Sequence, residues 1–263
     1  MEEHKTLVKD VFGESSDSDD EEEQQLQSKD SSNVDPSESI FGESPNWERI
    51  EEINGLWLCR DFLSHDQQSL LLSEIEEEGW LVEASHNQAM RFGNLPVWAI
   101  KLSNSIREVV LLSGYVLDSM DNSNCNEDKE VCLFPSDLIW REPLFNQLIV
   151  NIYQPGEGIC AHVDLMRFED GIAIVSLESS CVMHFSRVEG GALDIGKEYE
   201  MGLPLTKIPV YMTPGSLVLM WGEARYLWKH EINRKPGFQK WEGKDIDQKR
   251  RTSITLRKLC PTG

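Results

Sequence analysis

Paired cysteines are missing from this sequence. Cys59, Cys125, Cys132, Cys160, Cys181 and Cys260 form no CxxC pair. A cysteine zinc site is therefore not expected, since such sites take their thiolates from closely spaced pairs. No run of about 18 apolar residues occurs, which is the length a membrane-crossing helix needs. The opening Met1-Glu2-Glu3-His4-Lys5 lacks the basic and then apolar regions of a secretory signal, and it is too acidic for a mitochondrial transit peptide. Reduced thiols and a cytoplasmic or nuclear location are the resulting expectation. Internal repeats are absent too. Basic residues are scarce: 25 Lys and Arg stand against 46 Asp and Glu, a net charge of −21. Taken whole, that charge repels a polyanion.

The distribution of charge qualifies this. Residues 1–45 carry 14 acidic and 3 basic side chains, and residues 46–224 carry 28 and 11. Residues 225–263 carry 4 acidic and 11 basic side chains, a local excess of +7. Salt screens charges beyond roughly 10 Å, so a local patch steers a polyanion more than the total does. The alternative is that these Lys and Arg are simply solvated.

Residues 1–45 are poor in apolar side chains, and Ser15-Ser16-Asp17-Ser18-Asp19-Asp20-Glu21-Glu22-Glu23 cannot bury enough surface to offset its ordering entropy. A disordered acidic tail is expected there, either plainly solubilising or docking a protein partner. The folded domain is expected over residues 46–263, with helical support at 46–145 and a β core at 146–260. Leu56–Cys59 reads as a short strand. Ser64 caps a helix over 65–78 that Gly79 stops. Ser105 is expected to open a second helix, and residues 118–130 read as a loop. From Leu148 the pattern changes to short β segments with Gly and Pro punctuation: 148–154, 159–163, 171–177, 181–187, 207–212, 216–221, 225–230 and 251–259. Many short strands after a helical section indicate a mostly β fold, a sandwich or jelly roll, with N-terminal helices flanking it.

Three elements carry chemistry. In His162-Val163-Asp164, residues two apart on a strand share a face, so both side chains can meet one ion. His230 ends a candidate strand 66 residues after Asp164 and can supply a third ligand. Two His and one carboxylate leave open metal positions opposite, the ligand set of non-haem Fe(II) oxygenases. By itself the HxD triplet also fits a surface pair. Next, Arg251, Ser253, Thr255 and Arg257 alternate with apolar Ile254 and Leu256. Two arginines on the inner face of a sandwich are costly unless anions meet them, and Arg grips carboxylates in bidentate fashion. An exposed edge strand is the alternative. Third, Asn151 and Tyr153 share a face just before the Pro155-Gly156-Glu157-Gly158 turn.

Asn151-Ile-Tyr153-Gln-Pro-Gly156-Glu-Gly-Ile159-Cys-Ala-His162-Val-Asp164 resembles the metal-binding segment of the AlkB family of Fe(II)- and 2-oxoglutarate-dependent dioxygenases. Gly222-Glu-Ala-Arg225-Tyr226-Leu-Trp228-Lys-His230 resembles its distal-histidine strand, and Arg251 with Arg257 resembles its arginine pair. The likeness spans about residues 145–259. It implies a double-stranded β-helix with iron on His162, Asp164 and His230. It further implies that Arg251 and Tyr153 hold the distal carboxylate of 2-oxoglutarate, with Arg257 and Asn151 at the carboxylate nearer the metal. Some bacterial members carry Asn where this chain has Ser253, which puts that co-substrate contact in doubt. The implied reaction consumes dioxygen, decarboxylates 2-oxoglutarate to succinate and hydroxylates a C–H bond.

By that resemblance the first expected substrate is an alkylated base in RNA or DNA, acted on by a monomer. A protein side chain, a modified tRNA, or a cupin-like module that binds metal without turnover are the alternatives. The segment His86–Ile100, with Arg91, Phe92, Leu95 and Trp98, reads either as a stacking lid for a flipped base or as core. Arg225, Lys229, Arg234 and Lys235 read as phosphate contacts or as solvated charge.

Overall fold

The computed structural model describes residues 45–82, 87–114, 132–188, 207–235 and 237–261, all within the compact unit spanning residues 41–263. The expected acidic tail, His86 and the loop at 118–130 lie outside the described residues.

The elements in chain order are β1 (Trp47–Arg49), β2 (Leu56–Cys59), α1 (His65–Glu77), β3 (Gln88–Phe92), α2 (Val97–Leu112), α3 (Ser136–Ile139), β4 (Gln147–Tyr153), β5 (Ile159–His162), β6 (Ile172–Leu177), β7 (Cys181–Arg187), β8 (Ile208–Met212), β9 (Leu217–Met220), α4 (Glu223–Tyr226), β10 (Trp228–Ile232), β11 (Lys240–Trp241), β12 (Lys244–Asp245) and β13 (Arg251–Arg257). They form a seven-stranded sheet, β1-β2-β9-β6-β13-β4-β3, a four-stranded sheet, β5-β10-β7-β8, and the small β11-β12 ribbon. The pairings within both large sheets are antiparallel. This is the expected jelly roll, mostly β with helices in its N-terminal half.

Strand parity explains the layering. In β6, Ala173 and Val175 pack with Leu71, Trp98, Ile106 and Val110 of α1 and α2. Ile172 and Ile174 point the other way and pack with Met183 and Phe185 of the smaller sheet. A strand buried on both faces has no polar alternation, which is why Ile172–Leu177 is one apolar run broken by Ser176. Each such side chain taken out of water contributes about 1.5–3 kcal/mol.

Ser64 caps α1 as expected. Its hydroxyl accepts from the Gln67 amide, and the Gln67 side chain accepts from the Ser64 amide, closing a capping box. Beyond the helix Gly79 takes φ +66°, the left-handed region that favours glycine. In contrast, α2 begins at Val97 rather than at Ser105. Trp98, Leu102, Ile106 and Val109 recur at helical spacing along its buried side. Ser103-Asn104-Ser105 lies mid-helix and only imitates a cap. Residues 225–230 are not one strand: Gly222 at φ +54° turns the chain into the single turn α4, and β10 begins at Trp228. Gly158 lies against β10 so closely that a Cβ there would sit 2.0 Å from the Ile232 carbonyl oxygen. Among the described residues, no helix is long and apolar enough to cross a membrane.

Candidate active site

The space between the two sheets collects the polar side chains that parity sends inward. His162 ends β5 and His230 is the third residue of β10, and the antiparallel pairing places them directly opposite each other. Their ring centroids are 4.3 Å apart. Asp164 follows two residues beyond β5, with one carboxylate oxygen, Oδ2, 3.9 Å from His230 Nε2. One ligand atom from each of the three lies within 4.8 Å of the others.

Neighbouring groups fix the state of each of these candidate ligands. His162 Nδ1 lies 2.8 Å from the Cys160 carbonyl oxygen. Donation to that oxygen puts the proton on Nδ1 and leaves the Nε2 lone pair for a metal. Burial, then the neighbouring His162, pushes His230 down to about 4, against the opposing pull of Asp164. Its ring is neutral at neutral pH and does not have to shed a proton to become a ligand. Asp164 Oδ1 accepts from Arg257 Nη1, which leaves Oδ2 facing the histidines. Burial lowers the Arg257 pKa and Asp164 partly restores it.

Behind the triad, β13 runs between β4 and β6, with Arg251 opposite Tyr153 and Ser253 opposite both Asn151 and Ser176. Arg251 is buried, and its Nε donates to Ser176 Oγ at 2.8 Å. Its Nη1 and Nη2 are buried with no hydrogen-bond partner. The guanidinium lies over the Tyr153 ring, 5.5 Å from its centroid. Burial raises the Tyr153 pKa and Arg251 opposes the rise. Two unmet cationic donors beside a buried phenol could hold a carboxylate.

A model of the 2OG-Fe(II) oxygenase superfamily matches residues 55–257. The chain belongs to that superfamily. This oxygenase is 27% identical over 220 residues to an uncharacterised protein of Acanthamoeba polyphaga mimivirus, covering 80% of this chain and 88% of that one. It is 30% identical over 182 residues to the tRNA (carboxymethyluridine(34)-5-O)-methyltransferase alkbh8 of Xenopus tropicalis, covering 68% of this chain but 25% of that protein. It is 28% identical over 215 residues to the alkylated DNA repair protein ALKBH8 homolog of Arabidopsis thaliana, covering 79% of this chain and 59% of that one. The chain thus spans only part of the ALKBH8-type proteins it matches. Its fold is similar to the structure of OsALKBH1, with a TM-score of 0.50 at 14% identity, over 81% of this chain and all of that one. It is an AlkB-like, 2-oxoglutarate-dependent dioxygenase. Its co-substrates are 2-oxoglutarate and dioxygen, and its metal is Fe(II). The residues present suit them: two imidazoles and a carboxylate for the metal, and a buried guanidinium with two unpartnered donors for a dicarboxylate.

The structure brings together His162, Asp164, His230, Asn151, Tyr153, Arg251, Ser253 and Arg257. It separates the three substrate candidates. Gln88, Met90 and Phe92 of the edge strand β3 pair with Asn151, Ile149 and Gln147 and so share their inward face. Arg91 points to the opposite, helix side, where it stacks at 3.9 Å on the Trp80 ring. Trp98 is buried in α2, its indole N–H donating to Glu78 at 3.0 Å. Trp98 and Leu95 are core and no part of a lid, whereas Phe92 lies on the site face.

Arg225 is another correction: it is buried and is no phosphate contact. Arg257 gives Nη1 to Asp164 and Nε to Gln147, so it holds the Asp164 carboxylate in place. Sequence reasoning missed Gln147, Ser176 and Gln88. Gln147 shares the parity of Asn151 and Tyr153, and Ser176 is the polar residue within an apolar strand. Both signals were available. Gln88, whose amide donates to Asn151 Oδ1 at 2.6 Å, carried none.

Proposed function

We propose that this oxygenase oxidatively removes an N-alkyl group from a base in nucleic acid, with His162, Asp164 and His230 holding Fe(II). The observation that carries the substrate class is an open apolar rim on the site's own elements. Met90 and Phe92 extend the inward face of β4 onto the edge strand, 42% and 47% exposed. Leu165 and Met166, directly after Asp164, are 60% and 64% exposed. Arg167 reaches over the Phe92 ring, 5.6 Å from its centroid. A flat aromatic and thioether surface with a cation beside it suits a planar base turned out of its stack, where stacking is worth about 1–3 kcal/mol per base. Two relatives, one named as a tRNA methyltransferase and one as an alkylated DNA repair protein, support the same class.

Iron held by these residues would supply, with the 2-oxo acid and dioxygen, the oxidising power for C–H hydroxylation, and a hydroxylated N-methyl group breaks down to formaldehyde and the free base nitrogen. The remaining work falls to the chain. Arg251, with Tyr153, holds the distal carboxylate of the co-substrate. Arg257 fixes Asp164 so that one oxygen faces the metal. His162 is held in one tautomer by the Cys160 carbonyl, and His230 stays unprotonated. The rim seats the base and keeps bulk water from the metal's open side.

The test is mass spectrometry of nucleosides and peptides after incubation with Fe(II), 2-oxoglutarate and, in turn, tRNA, messenger RNA, DNA or cell protein. Loss of an alkylated nucleoside matched by formaldehyde supports the reading. A hydroxylated peptide with every nucleoside unchanged replaces it by a protein substrate. Metal binding without any succinate reduces the protein to a non-catalytic module.

A further inference from the structure

A guanidinium is seldom buried unless its donors are used. Arg225 is 1% exposed. Its Nη1 donates to the carbonyl oxygen of Asp164 at 3.0 Å, and its Nη2 donates to those of Leu165 at 2.8 Å and Phe168 at 3.2 Å. These carbonyls belong to the loop that leaves β5 just after His162. Arg225 itself stands in α4, the turn that feeds β10 and its His230. One side chain therefore ties the segment bearing His162 and Asp164 to the segment bearing His230. Arg257 holds the same Asp164 from the other end, by its carboxylate. The two arginines divide the work: Arg257 sets the side-chain rotamer and Arg225 sets the backbone it hangs from.

We infer that Arg225 is a positioning residue for the metal centre, fixing Asp164 relative to His230 and thereby the affinity and geometry of metal binding. The inference rests on the reading of Asp164 as a ligand. Its physical basis is the planar fork of the guanidinium. Arg presents several donors in fixed directions and can satisfy several converging carbonyls at once, whereas the Lys ammonium is a point donor on a flexible stem. Without Arg225 the buried carbonyls of Asp164 and Phe168 lose this donor, while that of Leu165 keeps the Phe168 amide, and the loop relaxes toward water or other donors. The carboxylate then moves with it, and a displacement of about 1 Å is enough to spoil a preorganised site.

Arg141 offers a matched control. It is also largely buried, and its donors go to the carbonyl oxygens of Leu144, which precedes β4, and of Asp170 and Gly171 at the far end of the same connection, touching no proposed ligand. The experiment uses the full chain with Co(II) as the probe. Titration calorimetry gives the Co(II) dissociation constant, visible absorption gives the ligand-field bands, and urea unfolding gives stability, for wild type, Arg225→Met, Arg225→Lys and Arg141→Met. The expected result is a Co(II) dissociation constant at least tenfold higher in Arg225→Met, with shifted bands, and an intermediate value in Arg225→Lys. Arg141→Met is expected to lose stability while keeping wild-type affinity and spectrum. Should Arg225→Met not fold, Arg225→Lys carries the comparison. Wild-type affinity and bands in the Arg225 variants, or an equal loss in Arg141→Met, overturn the inference and leave the metal site standing. Failure of the wild type itself to bind Co(II) brings down the metal-site reading together with this one.

Discussion

Replacing Arg251 by Met separates co-substrate binding from stability, because the structure predicts opposite signs for the two. Arg251 is buried with Nη1 and Nη2 unpartnered. Each unmet buried donor costs about 1–3 kcal/mol, and more when charged. The substitution removes both. It also removes the hydrogen bond to Ser176, worth about 1.5–3 kcal/mol for a charged donor, and the contact over Tyr153, worth about 0.5–2 kcal/mol. The protein without ligands should thus be unchanged or stabilised, by at most a few kcal/mol, in urea unfolding. Binding of 2-oxoglutarate should suffer instead. Truncating one partner of a buried, hydrogen-bonded charge pair costs about 2–5 kcal/mol, which corresponds to roughly 30- to 4,000-fold in dissociation constant. Anaerobic calorimetry with Mn(II) in place of iron measures that constant directly. A variant destabilised by more than about 2 kcal/mol, on the scale of an ordinary buried arginine with its hydrogen bonds met, while its 2-oxoglutarate affinity holds, would refute the assignment of Arg251 as the carboxylate receptor.

Asp164→Ala should abolish 2-oxoglutarate turnover, read as succinate, and residual wild-type rates would misplace the metal site. The His230 shift sets a pH dependence for the metal-free protein: with a folded value of about 4 against an ordinary 6.5, the folded state binds fewer protons than the unfolded one between these values. Stability is then greatest above pH 6.5 and falls with acidification toward pH 4, by about 2 kcal/mol between pH 7 and 5; His230→Gln should flatten this part of the curve, and an identical curve in the variant would remove the cause. Phe92→Ala should raise KM for a nucleic-acid substrate by roughly 5- to 150-fold, the worth of one stacked base, yet leave the dissociation constant for 2-oxoglutarate unchanged; an unaltered KM would take Phe92 out of the rim.

Much of the site was legible because it depends on short-range alternation. The period of two in Arg251-Thr-Ser-Ile-Thr-Leu-Arg257 and in Asn151-Ile-Tyr153 sorts inward from outward without knowing what lies opposite, and the observed registers agree with it. The same rule extended to Gln147 and Ser176 would have found the partners of Arg257 and Arg251. Alternation says nothing, however, about an element whose type is misread. His86–Ile100 reads as one segment, either a stacking lid or core. Within the described residues it divides into an edge strand and the start of a helix, so Phe92 faces the site while Trp98 joins the core.

The sequence by itself determined the kind of fold, the shared faces of the strands that bear Asn151 and Tyr153 and Arg251 and Arg257, and the chemistry of the donors, since these follow from local patterning and side-chain type. Only the tertiary structure decided which charges are buried and what meets them. Arg225 and Lys229 are alike on the page, four residues apart in a basic stretch. Arg225 becomes an internal brace because the loop after Asp164 turns three carbonyls toward it. Arg251 is left with open donors because no acceptor from either neighbouring strand reaches its Nη atoms. Burial and partnership arise from segments tens of residues apart, and no local period encodes them.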